Sequence, residues 1–359
     1  VGVLKAAGIR TFVPASADSA RQTLADAAAA ACEGQTVAYL MPVDVQLQEV
    51  DVPVDEPPAE AIAAGPLVRR NVAEAPAQSI AAAAAVLASA KKPLIMGGYG
   101  AYKAGARDAL IALAEKTGAL LATSAKGKDL FKGHPYNLGI IGSFSHSLAR
   151  RMASEADCVL SFGAGLNILT MSFGHSLPAV PLVHVDTVRA NIGRWTPADV
   201  AVVGDARLVA EQLVAAVADR GAADKPFHAA DNRAVLDAFD IAEDFQPANT
   251  ARTVDPRSLA VALNRLLPAE RNMTYDAGNF LGVVPFLDVP TPGHFKMTND
   301  FASIGLGFGA GLGFARARPE IPTVLVIGDG GFLMTMGELE TVVRELSLIH
   351  ISEPTRPNC

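Results

Sequence analysis

The stretch "TVLVIGDGGFLMTMGELETVVRE", residues 323–345, has the pattern of a strand, a turn and a helix. Its first five residues are mostly apolar and predict a buried strand over 323–327. Thr335 and Glu338 form a capping-box pattern, and the apolar residues beyond them recur at helical spacing, so a helix is predicted from there. Glycines between the two elements allow a sharp turn and a close approach to a ligand. These glycines are Gly328, Gly330 and Gly331.

Asp329 lies inside this glycine turn. A carboxylate does not attract a phosphate, but Mg²⁺ or Ca²⁺ between the two takes oxygen ligands from both. The alternative is an ordinary turn in which neighbouring backbone N–H groups satisfy Asp329. The turn alone leaves both interpretations open.

Two other segments carry the same kind of glycine-rich pattern. "TYDAGNF" (274–280) places Asp276, Gly278 and Asn279 at a predicted strand end. "TNDFASIGLGFGAGLGFARA" (298–317) has five alternating glycines, which also suit a small-residue helix packed on a neighbour; its apolar run is too short for a membrane helix. Three glycine-rich strand ends in one parallel sheet would meet at one crevice, where such sheets bind ligands.

Strands and helices alternate along most of the chain, which predicts an α/β fold of doubly wound domains with parallel sheets. Acidic, proline-rich or aperiodic segments separate the domains. The predicted organisation is the end of an α/β domain at 1–50, a linker at 51–75, a central Rossmann-like domain at 76–218, a linker at 219–250 and a third domain at 251–346.

Composition excludes several classes of partner. The net charge of −7 over 359 residues argues against nucleic acid or an anionic membrane as the main partner. It does not exclude a small anionic ligand, because backbone N–H groups and a metal can bind one. The three cysteines are far apart and predict no disulfide framework, and no apolar run spans a bilayer, so a cytoplasmic location is expected.

The quoted segments together resemble the diphosphate-binding domain of thiamine diphosphate (ThDP) enzymes. Within that family the chain is most similar to the acetolactate synthase large subunit and its relatives, such as benzoylformate decarboxylase. The resemblance extends to "HPYNLGIIGS" (134–143) in the central domain and to "TVAYLMPVDVQ" (36–46), which is similar to the end of the pyrimidine-binding domain. It therefore spans most of the chain.

The resemblance implies a role for particular residues. Asp329 would ligate Mg²⁺, and Ile304 would hold ThDP in its bent form. The backbone at Ala302 and Ile304 would bond the aminopyrimidine, and the glycine segments would line the diphosphate. The cofactor-binding residues implied are Gly278, Asn279, Ala302, Ile304, Gly328, Gly330, Gly331 and Phe332.

The sequence departs from the family in two places. The family's catalytic glutamate belongs to the pyrimidine-binding domain, so no catalytic residue is assigned here. The second metal ligand, an asparagine one strand after the helix, has no match in "SLIHISEPTRPNC" (347–359). We therefore expect a chain truncated at both ends, with a non-native tail at 347–359.

Nucleotide binding by the central domain is a separate question. "GGYGAYKAG" (97–105) follows a predicted strand but lacks the third glycine of a dinucleotide fingerprint, which argues against NAD. Acetolactate synthases carry FAD on this domain, but "GAGLNILTM" (163–171) lacks the arginine of their motif, which argues against FAD. His184 is interpreted as a structural strand residue, and the cluster Lys126, Lys128 and Lys132 as a solvated loop.

The predicted function is ThDP- and Mg²⁺-dependent decarboxylation of a 2-keto acid followed by carboligation. Alternatives are a simple 2-keto acid decarboxylase or an acyl-CoA lyase of the same family, and a non-catalytic nucleotide-binding or regulatory α/β protein. The resemblance also implies a homodimer or homotetramer, since active sites in this family lie between subunits. The 1–359 chain alone is expected to be inactive.

Overall fold

The computed structural model describes residues 2–32, 35–49, 73–299 and 302–345, which form two compact units divided after residue 71. Most of the first predicted linker and the whole predicted tail lie outside these residues. The first unit contains a β–α–β arrangement in which two short parallel strands pair, Arg10 with Val37. Its elements are α1 (Gly2–Ala6), β1 (Arg10–Phe12), α2 (Ala17–Cys32), β2 (Val37–Tyr39) and α3 (Val43–Gln46).

A six-stranded parallel sheet forms the centre of the second unit. Its strand order is β5-β4-β3-β6-β7-β8. The chain adds β4 and β5 on one side of β3 and then β6, β7 and β8 on the other side, which is the doubly wound arrangement. The predicted α/β class with parallel sheets is therefore confirmed. The strands are β3 (Pro93–Gly97), β4 (Leu120–Thr123), β5 (Asn137–Ile140), β6 (Cys158–Phe162), β7 (Leu182–Asp186) and β8 (Val200–Val203).

Helices cover both faces of this sheet because alternate strand residues point to opposite sides. Ile95 packs on the face covered by α4, α6 and α8, whereas Leu94 and Met96 pack on the face covered by α7. Gly118, in the left-handed conformation, ends α6, as a glycine commonly does at the end of a helix. The helices are α4 (Ala77–Ser89), α5 (Tyr99–Lys103), α6 (Arg107–Thr117), α7 (Ser147–Ala153) and α8 (Ala206–Ala216).

Doubly wound sheets often bind nucleotides in a crevice at the point where the strand order reverses, here between β3 and β6. In this protein the backbone after β3 fills that crevice by packing against the backbone after β6. The N–H of Gly98 donates to the Phe162 carbonyl at 2.8 Å, and the N–H of Gly100 donates to the Gly163 carbonyl at 3.0 Å. A Cβ added to Gly98 would overlap the Gly163 carbonyl oxygen and lie 2.6 Å from the Ala164 Cα. These N–H groups are therefore used within the protein and do not point to a phosphate.

We expect Gly98→Ala to lower the free energy of unfolding by about 1–3 kcal/mol, because the new methyl group would push two backbone segments apart. Urea denaturation of the two proteins measures this difference. Gly165→Ala is the matched control, since an added Cβ there meets no described atom within 4 Å. Equal stability of Gly98→Ala and wild type would contradict the close packing.

The third part of the fold is a three-stranded parallel sheet with β9 in the middle, in the order β10-β9-β11. Met273 of β9 pairs with Phe295 of β10 and with Val324 of β11. The strands are β9 (Asn272–Tyr275), β10 (Phe295–Met297) and β11 (Thr323–Val326). Helix α9 (Ala230–Ala238) precedes this part of the fold, whose helices are α10 (Pro256–Leu266), α11 (Leu306–Ala317), α12 (Asp329–Thr335) and α13 (Leu339–Glu345).

The capping-box prediction is wrong, because a helix already begins at Asp329. The hydroxyl of Thr335 donates to the Gly331 carbonyl at 3.0 Å, inside that helix, and does not cap the next one. A single 3₁₀ turn, Met336–Glu338, joins α12 to α13. Gly330 and Gly331 therefore lie in the first helical turn, where backbone N–H groups have no partner within the helix.

Alternating glycines give α11 two different faces. A Cβ added to Gly307 would lie 2.8 Å from the Asp276 Cβ, and one added to Gly311 would lie 3.2 Å from the Thr274 hydroxyl oxygen. This face therefore lies directly against β9, as the small-residue helix alternative predicts. A Cβ added to the other two glycines would meet no described atom within 4 Å: Gly309 and Gly313.

Residues 219–250, predicted as the second linker, are folded: Phe227 packs in the core of the central sheet and Phe245 packs against that of the third part of the fold. Phe227 is fully buried, and the rings of His228 and Tyr136 stack with centroids 3.8 Å apart. The interpretation of the lysine cluster as solvated is wrong for Lys128, which is 3% exposed. Its ammonium group lies 3.2 Å from the Asp129 carboxylate, which explains how the charge can be buried.

Three histidines are held in their neutral form by the fold. Burial lowers the pKa of His146, His184 and His228 below the ordinary 6.5. Nε2 of His146 lies 2.9 Å from the Leu138 carbonyl and must carry the proton, while its Nδ1 accepts from the Ala149 N–H. A second proton on the His146 ring would lie on Nδ1 and would point at the Ala149 N–H, which is itself a donor.

We expect stability to fall as the pH drops below about 6.5. The pKa values of these histidines are lower in the folded protein than in the unfolded chain, so below about pH 6.5 the unfolded chain binds more protons. Their contribution to the free energy of unfolding is therefore fully present only above about pH 6.5. Each histidine contributes a slope of up to about 1.4 kcal/mol per pH unit. Urea denaturation at pH 7.5 and 5.0 tests this, with the exposed His175→Gln as a control that keeps the dependence. Equal stability at both pH values would contradict it.

Candidate functional site

The candidate site lies at the carboxyl edge of the three-stranded sheet. β9 leads into Asp276, β10 into the segment before α11, and β11 into Gly328 before α12. Because the strands are parallel, their carboxyl ends lie at one edge of the sheet. The structure thus brings together the three glycine-rich segments that the sequence selects.

The ring of Phe280 connects the first and third of these segments. A Cβ added to Gly278 would overlap the ring, and one added to Gly328 would lie 3.3 Å from it. Gly278 and the neighbouring Asn279 are exposed. Two of the predicted diphosphate-lining residues therefore lie close to the predicted turn, across an aromatic ring that the sequence analysis did not select.

The second segment also lies against the turn. A Cβ added to Gly330 would lie 3.9 Å from the Ile304 Cδ1, and Ile304 is 42% exposed. Ala302 has φ of 54°, which is unusual for a residue with a side chain. Its N–H donates to the Asn299 carbonyl at 3.0 Å, so a ligand there would bond its carbonyl oxygen.

Asp276 lies at the centre of the site, although the sequence analysis did not include it among the cofactor-binding residues. Its side chain is fully buried, and its two carboxylate oxygens accept from the N–H groups of Gly305 at 2.7 Å and Gly307 at 3.0 Å. A Cβ added to Gly331 would overlap the same carboxylate. The feature of the sequence that could have indicated Asp276 as a site residue is its position as a charged residue directly after a buried strand.

Asp329 is exposed at the start of α12, and one carboxylate oxygen accepts from the Gly330 N–H at 2.8 Å. This local bond fits the turn interpretation, but the exposed carboxylate can still take a cation. Within the described part of the chain, no group of three His, Cys, Asp or Glu residues could hold a metal. Mg²⁺ commonly uses one or two carboxylates together with substrate phosphates, so Asp329 fits a shared site.

Phe332 has a packing role beside the turn. Its N–H donates to the Gly328 carbonyl at 2.9 Å, and its ring lies 6.3 Å from the ring of Phe308 between centroids. Gly330, two residues before it, is exposed, and a Cβ there would meet only the Ile304 Cδ1, at 3.9 Å, which leaves room for a diphosphate. The residues present therefore fit a bound diphosphate at the first turn of α12.

A cleft of about 340 Å³ lies between the carboxyl ends of the central strands and the end of β10, where Met297 and Asn299 line it. Its volume is at the lower end of the range of about 300–1,000 Å³ for drug-sized ligands, which suits a molecule smaller than a dinucleotide. Asp186 at the end of β7 accepts from the Val188 N–H and from the Asn191 amide. These local bonds and the filled crevice give no support for FAD or NAD.

Family comparison agrees with this geometry. The central domain of thiamine pyrophosphate enzymes matches residues 80–213, and the C-terminal TPP-binding domain of the same enzymes matches residues 276–352. Thiamine pyrophosphate is ThDP. The second match contains the glycines of all three glycine-rich segments. The chain belongs to the ThDP enzyme family.

Three relatives show which members of the family are similar. A "probable acetolactate synthase large subunit" of Methanocaldococcus jannaschii is 29% identical over 84% of this chain and 51% of the relative. A sulfoacetaldehyde acetyltransferase of Roseovarius nubinhibens is 30% identical over 73% and 47%. A "probable 2-ketoarginine decarboxylase" of Pseudomonas aeruginosa is 31% identical over 75% and 46%. The chain spans about half the length of these relatives.

In the described residues, we find no helix whose length and apolar character would let it cross a membrane.

Proposed function

We propose that this protein takes part in ThDP- and Mg²⁺-dependent decarboxylation of a 2-keto acid, followed by carboligation. The observation that carries the proposal is the meeting of three glycine-rich strand ends around Asp276, next to the exposed carboxylate of Asp329. The acetolactate synthase and acetyltransferase relatives support a reaction that ends in transfer to a second carbonyl or acceptor.

Each part of the site has a distinct task. Bound ThDP supplies a nucleophilic carbon and accepts the electron pair that remains when CO₂ leaves. Asp329 would hold Mg²⁺ at the diphosphate, and Gly330 and Gly331 would let the backbone approach it. Ile304, beside Gly330, supports the bent form of the cofactor. Gly278 and Asn279 line the other side of the diphosphate.

We also propose that another protein surface covers this site. Several large apolar side chains around the turn are at least 42% exposed: Ile304, Leu306, Leu333, Met334 and Met336. Large apolar side chains exposed together around a site are typical of an interaction surface. A homodimer or homotetramer in which a second subunit covers the patch would also exclude water from the reacting carbon.

A simple 2-keto acid decarboxylase is the second candidate, favoured by the relative named as a 2-ketoarginine decarboxylase. The two functions differ in what receives the carbon nucleophile left by decarboxylation: a second carbonyl or a proton. Both need the same cofactor site, so binding of ThDP does not separate them.

Product analysis separates the two candidates. The intact gene product is incubated with pyruvate, ThDP and Mg²⁺, and the products are identified by NMR. Acetolactate supports carboligation, whereas acetaldehyde alone supports simple decarboxylation. Calorimetry with ThDP and Mg²⁺ tests the shared part of the proposal, and failure of the protein to bind the cofactor would refute both candidates.

A further inference from the structure

The amino end of α11 has an unusual cap. Its N-cap residue is Gly305, which has no side chain to accept a hydrogen bond from the first turn. The carboxylate of Asp276, from the end of β9, accepts from the N–H groups of Gly305 and Gly307 instead. A buried anion at a helix amino end is also favoured by the helix dipole.

This cap bonds the end of a turn that contains two residues with positive φ. Gly305 has φ of 92° and Ala302 has φ of 54°, both in the left-handed region. The bond to Gly305 pins the end of the turn that carries Ala302 and Ile304. These are the residues whose backbone the family resemblance places at the aminopyrimidine of ThDP.

The same carboxylate contacts the diphosphate side of the site. Gly331 lies so close that a Cβ there would overlap an Asp276 oxygen. A Cβ at Gly331 would also lie 3.2 Å from the Gly305 nitrogen. One buried side chain thus touches both the turn before α11 and the first turn of α12.

We propose that Asp276 is a positioning residue that sets the distance between the aminopyrimidine side and the diphosphate side of the ThDP site. This inference rests on the proposed function. Its hydrogen bonds join an ionised acceptor to backbone donors, a combination stronger than a bond between neutral groups. Asparagine at this position keeps one carbonyl acceptor but presents an amide donor to the other N–H, whereas alanine removes both acceptors.

The test compares two ligands in the full chain, in the presence of Mg²⁺. ThDP contacts both sides of the site, whereas inorganic pyrophosphate contacts only the diphosphate side. We expect Asp276→Asn to weaken ThDP binding by about 10-fold and Asp276→Ala by about 100-fold, with pyrophosphate binding changed much less. Isothermal titration calorimetry measures both affinities. Hydrogen exchange should be faster at the amides of Gly305 and Gly307 in both variants.

Thr274→Val is the matched control. Thr274 is fully buried on the same strand, two residues before Asp276, and faces Gly311 of the same helix. Its hydroxyl has no hydrogen-bond partner among the described residues, so its removal should leave both affinities within about twofold. If neither Asp276 variant folds, Asp276→Ser, which retains one acceptor, is measured instead.

The outcomes separate the two proposals. Wild-type protein that binds neither ligand would refute the proposed function. If wild type binds ThDP and the Asp276 variants bind it equally well, only the inference on Asp276 is refuted. An equal loss for ThDP and pyrophosphate would also overturn the inference, because it would indicate general damage and not a changed distance between two sides.

Discussion

Replacing Asp329 with alanine is expected to lower the affinity for ThDP in the presence of Mg²⁺ by about 100-fold or more. Loss of residues that only support a metal ligand costs about 10–100-fold in metal affinity, so loss of a direct carboxylate ligand should cost at least as much. Asp329 is exposed at the start of α12, so its removal should leave folding nearly unchanged. Calorimetric titration with ThDP at several Mg²⁺ concentrations measures the effect.

Glu320→Ala is the control for this experiment. Glu320 is an exposed acidic residue just before β11, at the opposite end of the strand from Asp329. The Glu320→Ala substitution removes the same charge from the protein but lies away from the proposed site. If Asp329→Ala and Glu320→Ala bind ThDP equally well and with the same Mg²⁺ dependence, Asp329 is not the metal ligand.

Replacing Lys128 with methionine is expected to lower the free energy of unfolding by about 3 kcal/mol, the lower end of the cost of breaking a buried ion pair. Its ammonium group lies 3.2 Å from Asp129 and 4.0 Å from Asp288. Asp129 also accepts from the Val289 N–H at 2.8 Å, so its carboxylate connects the central sheet to the segment after the Asn279–Phe286 turn. Methionine fills the space but leaves this carboxylate without its charge partner.

Electrostatics around Asp288 support the same expectation. Burial raises the pKa of Asp288, but the ammonium groups of Lys128 and Lys132 outweigh it, and the net pKa is lowered. Urea denaturation measures the stability loss, with the exposed Lys91→Met as the control. A Lys128→Met protein as stable as the control would show that the ion pair does not hold the two parts together.

Much of the architecture can be predicted from local patterns. The buried strands of the central sheet and the helix that ends at Gly118 are determined by residues close together in the sequence, so their patterns can be recognised there. The meeting of three glycine-rich segments also follows, because strands that alternate with helices form parallel sheets with their carboxyl ends at one edge.

Long-range partners could not be predicted in the same way. Lys128 lies in "AKGKDLFKG", which has the composition of a solvated loop; its buried charge is paired with Asp129, whose carboxylate accepts from the N–H of Val289, 160 residues further along. The start of α12 was missed because Thr335 with Glu338 resembles a cap, whereas the glycines before it usually disfavour a helix. Asp276 was missed as a site residue because its partners lie on another helix.

The two faces of α11 have a consequence for natural variation in this protein. At Gly307 a Cβ would clash with the backbone of Asp276, and at Gly311 it would press on the Thr274 hydroxyl, so selection should keep glycine at the first and only small residues at the second. At Gly309 and Gly313 an added Cβ meets no described atom, so evolution is free to introduce larger residues there. Sequences from related organisms should therefore have glycine or another small residue at positions 307 and 311, and a wider range of residues at positions 309 and 313.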